Sequence, residues 1–324
     1  MKDTTLIVVG AGPAGLAVGI EAAKAGLDYW IIDKGNVVHS IYRFPEFMTF
    51  FSTAEKLTLA GLPFPSVRQR PTRQEALEYY RLVAEYFQLK IRPYERVTAI
   101  DANGGRFYID TEKQRYRSRF VVVATGFYDQ PNLLEVPGEE LPHVQHYYRS
   151  PYPYYGRRVV IVGGGNSAVQ AALECWQRGA RVTMVVRDED FHRSVKYWLL
   201  PDIRNRIQEG SIAALFNAQV REIRAEAVIV DQDGRSLAIA ADHVLALTGY
   251  RPDYAFLEGI GLQFEGVHRV PIHDPETLES NVANLYLAGS VLGGLHTSRY
   301  FIENTRHHGK LIVEDITRKM KGMK

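Results

Sequence analysis

Leu6-Ile7-Val8-Val9-Gly10-Ala11-Gly12-Pro13-Ala14-Gly15, read together with Asp33, decides the fold of this chain. Four apolar residues in a row predict a buried strand. Gly10, Gly12 and Gly15 give the spacing Gly-x-Gly-x-x-Gly, and the alanine-rich run 16–25 predicts a helix. Tyr29-Trp30-Ile31-Ile32 predicts a second strand with Asp33 at its end. The first glycine permits a tight strand-to-helix turn, the second lets a pyrophosphate approach the backbone, and the third lets helix and sheet pack closely. The N–H groups at the helix start then face the phosphates. An acid at the end of the second strand accepts hydrogen bonds from a ribose hydroxyl. The stretch therefore reads as a dinucleotide-binding unit.

The pattern recurs. Val159-Val160-Ile161-Val162-Gly163-Gly164-Gly165-Asn166-Ser167-Ala168 again predicts a strand, a glycine turn and a helix from Ser167 to Arg178. Ala168 takes the third position and is small enough for helix–strand packing. The following strand, 181–186, ends in Arg187, with His192, Arg193 and Lys196 close behind. Arginine at that place pairs with a 2′-phosphate that an acid would repel. This half is expected to prefer NADPH.

Working outward, 324 residues suggest two domains, each large enough to bury a core. A net charge of +2 is too near balance to argue for nucleic acid or a membrane surface. No apolar run approaches the roughly 18–20 residues of a membrane span. The first strand starts close to Met1, which is expected to leave no room for a signal peptide. The single cysteine, Cys175, excludes an intramolecular disulfide and a Cys-x-x-Cys redox pair. A cytoplasmic enzyme is the expectation, and a homo-oligomer is left open.

The segment 40–64 is rich in aromatics and poor in periodicity, so it reads either as a loop packed on its own domain or as a cover for a flat cofactor ring. An amphipathic helix is expected over 73–87, and strands over 96–100 and 106–110 joined by Asn103-Gly104-Gly105. Phe120-Val121-Val122-Val123-Ala124 predicts a buried strand ending at Thr125-Gly126, an ending that 242–249 repeats. A helix over 196–208 is expected to be interrupted by Pro201. The last elements expected are a strand at 284–290 and a helix over about 298–318. Gly289 and that helix's start are candidates for the far end of a flavin.

Two dinucleotide folds, the second inserted into the first, resemble the two-domain flavin-dependent reductases typified by low-molecular-weight thioredoxin reductase. A closer resemblance, to the bacillithiol-disulfide reductase family, covers nearly the whole chain. It is carried by Lys34-Gly35-Asn36-Val37-Val38, Ser40-Ile41-Tyr42, Phe50-Phe51-Ser52, Tyr79-Tyr80-Arg81, Ala124-Thr125-Gly126-Phe127-Tyr128 and the second glycine motif. Lys196-Tyr197-Trp198-Leu199-Leu200-Pro201, Thr248-Gly249-Tyr250-Arg251-Pro252-Asp253 and Phe301-Ile302-Glu303-Asn304 complete it. The resemblance implies an α/β fold of two Rossmann-like dinucleotide-binding domains, with the NADPH domain (129–245) inserted into an FAD domain (1–128 and 246–324). It implies FAD on Gly10, Gly12, Pro13, Ala14, Gly15 and Asp33, with Lys34, Ser40, Val97, Thr125, Gly126, Gly289 and Ser290 around it. It implies NADPH on Gly163, Gly165, Asn166, Ser167, Ala168, Arg187, Arg193 and Lys196.

The implied reaction passes electrons from NADPH through FAD to the disulfide of a low-molecular-weight thiol. Many similar members carry cysteine where this chain has Ala14, and thioredoxin reductases carry aspartate where it has Ser290. No catalytic residue is named on these grounds. Cys175 falls in mid-helix and reads as a packing residue. The histidines show no metal-ligand spacing, and the adjacent His307 and His308 are expected to point to different faces of a helix. His296 lies in a glycine-rich turn near the expected flavin end. Three alternatives stand beside this reading: a ferredoxin-type NADPH reductase without thiol chemistry, a flavin monooxygenase, and a nucleotide-binding sensor. The monooxygenase signature Phe-x-Gly-x-x-x-His is not reproduced by 141–147.

Overall fold

The opening apolar run forms β1 (Lys2–Val9), and the glycine turn leads into α1 (Pro13–Lys24) and then β2 (Tyr29–Ile32). These belong to a computed structural model that describes residues 1–322. The chain divides into two units, Met1–Gln130 with the chain from Tyr250 onward, and Pro131–Gly249. In the first unit α1 is apolar almost all round, burying Leu16, Val18, Ile20 and Ala22, as expected of a helix with protein on both sides.

The aromatic segment carries two short helices, α2 (His39–Arg43) and α3 (Ala54–Leu57). Phe50 and Phe64 are buried in their own unit, and Phe64 stacks flat on Tyr79 at 4.2 Å between centroids, while Tyr42 and Phe47 stay exposed. α4 (Arg73–Tyr86) opens with a capping box. Thr72 Oγ1 accepts from the Glu75 N–H at 3.2 Å, and the Glu75 carboxylate accepts from the Thr72 N–H at 2.7 Å. A cap of this kind contributes about 1 kcal/mol. β3 (Ile91–Arg92), β4 (Val97–Asn103), β5 (Arg106–Thr111) and β6 (Arg115–Val123) follow, and then β7 (Gln130–Pro131). The sheet order is β3-β2-β1-β6-β5-β4. The first four strands run parallel, and β5 and β4 join them antiparallel.

The second unit repeats the plan with β8 (Val144–Gln145), β9 (Arg158–Val162), α5 (Asn166–Gln177), β10 (Arg181–Val185), α6 (Leu200–Gln208) and β11 (Ala213–Leu215). β12 (Ala218–Ile223), β13 (Ala227–Gln232) and β14 (Arg235–Ala240) form an antiparallel sheet of their own, and β15 (His243–Ala246) returns to the parallel sheet, ordered β11-β10-β9-β15-β8. Ile161, Val169, Ala172, Met184 and Leu245 fill its core. Pro201 does not interrupt a helix here. It stands in the first turn of α6, where its missing N–H has no intrahelical partner to lose.

Back in the first unit come β16 (Tyr250–Arg251), α7 (Tyr254–Gly259), β17 (Phe264–Glu265), β18 (Val270–Pro271), β19 (Leu285–Leu287), α8 (Ile302–Thr305) and α9 (His308–Lys321). The single helix expected over 298–318 is thus two. Thr305 Oγ1 donates back to the Phe301 carbonyl at 2.8 Å, the same oxygen that accepts the Thr305 N–H at 3.1 Å, a back-bond of the kind that bends helices. After the break His308 and Gly309 turn inward, and Gly309, having no Cβ, sits against the Ala17 carbonyl of α1.

Register decides where the sites lie. Val9 pairs with Ile32 and with Val123, and Val123 pairs with Leu287, so four parallel strands end in one row. Val162 likewise pairs with Val185 and Ala246. Ligands of open α/β sheets bind at such carboxyl-terminal edges.

Candidate functional site

Gly10 follows β1 with φ +111°, a conformation that disfavours any side chain, and a Cβ there would press into the Ala124 carbonyl at the end of β6. Above Gly12 nothing lies within 4 Å of a Cβ position. Gly12 caps α1 in extended conformation with no side-chain cap, and Pro13 takes the first helical position. The helix therefore presents uncapped N–H groups to open space, a cradle that a Cβ would fill and that a pyrophosphate fits.

Asp33 is placed by β2 beside this turn. Its Oδ2 accepts from the Ala11 N–H at 2.7 Å and its Oδ1 from the Gly35 N–H at 2.8 Å. Burial pushes its pKa up, and the two N–H groups partly offset that. Each oxygen keeps lone-pair capacity for a ribose hydroxyl. The Val38 N–H bonds the Ala11 carbonyl at 3.0 Å, which holds the start of α2, with Ser40, near the glycine turn. The Glu95 N–H bonds the Asp33 carbonyl at 2.8 Å, which brings the chain just before Val97 to the same edge. Lys34 turns to Asp129, at 2.7 Å, an ion pair that Arg43 shares at 3.1 Å.

The end of β19 joins the cradle. A Cβ on Gly289 would lie 2.7 Å from Ala14 Cβ, and one on Gly126 would lie 3.5 Å from Ser290 Oγ. The structure thus gathers the 10–15 turn, Asp33, Thr125-Gly126 and Gly289-Ser290 at one sheet edge. The Gly289 N–H is already engaged, donating to His308 Nδ1 at 3.2 Å. The sequence gives His308 a helix face but no partner; it is buried here, and burial, with His273 and His307 adding to it, pushes its pKa down to about 4. His307 is exposed, so the two adjacent histidines do face different ways. His296 is exposed, its ring 5.1 Å from that of His268.

In the second unit Gly163 has φ +134°, and a Cβ there would lie 2.5 Å from the Leu247 carbonyl oxygen beyond β15. Gly165 caps α5 in extended conformation, again with nothing within 4 Å of its Cβ position. Ala168 is buried and Ser167 exposed. Arg187 stands past β10, 76% exposed and 3.7 Å from Asp188. Arg193 is exposed and Lys196 half-buried on the segment that follows. The Asn166 side chain faces that segment and not open space: Nδ2 donates to the Ser194 carbonyl at 2.8 Å and Oδ1 accepts from the Lys196 N–H at 3.0 Å.

Cys175 is fully buried on α5, and burial pushes its thiol up to about 12. A thiol held protonated is neither nucleophile nor relay. Among the described residues no three His, Cys, Asp or Glu side chains gather to hold a metal ion, and no helix is long and apolar enough to cross a membrane.

A family model described as pyridine nucleotide-disulphide oxidoreductase matches residues 7–289. The chain is 39% identical to the bacilliredoxin reductase Bdr of Bacillus subtilis over 98% of its own length and 99% of that protein's. Solved structures of the bacillithiol disulfide reductase Bdr (YpdA) match it at a TM-score of 0.96. The Staphylococcus aureus enzyme is 40% identical, with 98% of this chain and 99% of that one covered. The Bacillus cereus enzyme is 39% identical, with 98% and 100% covered.

Proposed function

The chain belongs to the pyridine nucleotide-disulphide oxidoreductases, enzymes that use a flavin and a nicotinamide nucleotide, and from that premise we propose that it is an FAD-dependent NADPH reductase of low-molecular-weight disulfides, working in the cytoplasm. Bacillithiol disulfide is the substrate class, carried over from the enzymes of Staphylococcus aureus and Bacillus cereus. One observation carries the assignment of the two nucleotides. Two cradles of the same build end in opposite charges, Asp33 in the first unit and Arg187 in the second. The carboxylate suits a free ribose and the guanidinium a 2′-phosphate.

Bound FAD supplies a centre that takes a hydride from NADPH and gives up electrons in pairs. The residues of the chain bind and orient. The start of α1 holds the FAD pyrophosphate, and Asp33, fixed by two backbone N–H groups, receives its ribose. Thr125, Gly126 and Ser290 border the same edge, with Ser40 and Val97 at its margin. Gly163, Gly165 and the start of α5 hold the NADPH pyrophosphate, and Arg187, Arg193 and Lys196 supply positive charge. Position 14 offers a methyl group where a thiol would stand in a relay, and the only cysteine, Cys175, is buried in the other unit. The disulfide is therefore cleaved without a mixed disulfide to the protein. The balance is NADPH plus a proton plus one disulfide, giving NADP⁺ and two thiols.

The Bacillus subtilis relative is named for a protein acceptor, so a bacilliredoxin disulfide is the second acceptor to assay. The test is NADPH consumption by the FAD-loaded protein with bacillithiol disulfide, with oxidised bacilliredoxin and with ferredoxin. Turnover with a disulfide and none with ferredoxin is expected. Turnover with ferredoxin alone would overturn the reading.

A further inference from the structure

We infer that Asn166 is a positioning residue whose side-chain amide clamps the basic segment 192–196 onto the glycine turn of the second unit, and so sets the preference for a nucleotide carrying a 2′-phosphate. The inference rests on the NADPH reading above and adds where its selectivity is built. Asn166 is the first residue of α5, next to the open cradle at Gly165. Its position invites a ligand contact, yet both ends of its amide are taken by one short stretch of main chain, Ser194 O and Lys196 N. Turned over, the amide would set oxygen against a carbonyl and nitrogen against an N–H, so the network admits one orientation.

A third bond helps, from the His192 N–H to the Gly164 carbonyl at 2.9 Å. Phe191 and Val195 are buried on either side, Phe191 with its ring 5.2 Å from that of Phe216. The segment is thus pinned by two apolar anchors and by hydrogen bonds to the glycine turn itself. Arg193 and Lys196 ride on it. Arg187 does not, because it extends from the end of β10 beside Asp188. Cations fixed in advance bind a phosphate more tightly than cations that must first be ordered. Their attraction for the extra phosphate is also the part of binding that salt screens.

The test is calorimetric titration of the FAD-loaded protein and its Asn166→Ala variant with NADP⁺ and with NAD⁺, at low and at high salt. Asn166 is half-buried and belongs to no apolar core, so the variant is expected to fold, which circular dichroism checks. Asn166→Ala should weaken NADP⁺ about tenfold and NAD⁺ less than about threefold, and the salt dependence of NADP⁺ binding should fall toward that of NAD⁺. Equal losses on both nucleotides would make Asn166 a contact to their shared pyrophosphate and overturn the inference. So would NADP⁺ binding that is unchanged. An unmodified protein that binds both nucleotides alike would overturn the NADPH reading and this inference with it. A preference that survives intact in the variant overturns the inference alone.

Discussion

His308 shows what a single buried side chain does for the site. Its Nδ1 accepts the Gly289 N–H, so it must be neutral to hold the turn that borders the α1 cradle. Its pKa in the fold, about 4, lies below the ordinary 6.5. The unfolded chain therefore binds the extra proton first. The stability this gives is present above about pH 6.5 and is lost as pH falls through that value toward 4. Between about pH 7 and about pH 5 the loss is on the order of 2 kcal/mol. Urea unfolding of His308→Asn should show less of this fall, because Asn keeps an acceptor near the same place and does not titrate. The same fall in both proteins would contradict the account. Asp33 was legible in the sequence because strand–turn–helix–strand spacing puts it at the cradle. His308 was not, because its partner is 19 residues away and meets it only through packing of α9 on α1.

At the level of elements, the two strand–glycine–helix units are the parts that a local pattern determines. Each glycine in the first turn answers a different constraint, and substitutions should separate them. Gly10→Ala forces a side chain into positive φ and against the Ala124 carbonyl. It should destabilise the protein by more than about 1 kcal/mol, read by thermal unfolding, and lose FAD as well. Gly12→Ala meets nothing in the protein. It should leave the unfolding of FAD-free protein unchanged and weaken FAD binding by about tenfold, read by flavin fluorescence. Loss of stability in Gly12→Ala, or full FAD affinity there, would count against the cradle. The parts that pattern reading misplaced share a cause. Pro201 can break a helix or begin one, and only the geometry of the chain before Leu200 decides. The α8–α9 break depends on His308 and Gly309 finding Gly289 and α1, which no local periodicity encodes. The aromatics of 40–64 could face a cofactor or their own core, and the burial of Phe50 and Phe64 shows that these two face the core.

At the scale of the whole molecule, the chain is a two-nucleotide reductase whose one thiol, Cys175, is buried within the second unit. In the proposed reaction electrons reach a small disulfide without any cysteine of the protein. The direct measurement uses Cys175→Ser, a chain with no cysteine at all, loaded with FAD, reduced anaerobically with one equivalent of NADPH and then mixed with bacillithiol disulfide. Reoxidation of the flavin at the rate of the unmodified protein is expected, with two thiols released for each NADPH consumed. A correctly folded, FAD-bound variant that stays reduced while the unmodified protein is reoxidised would contradict it.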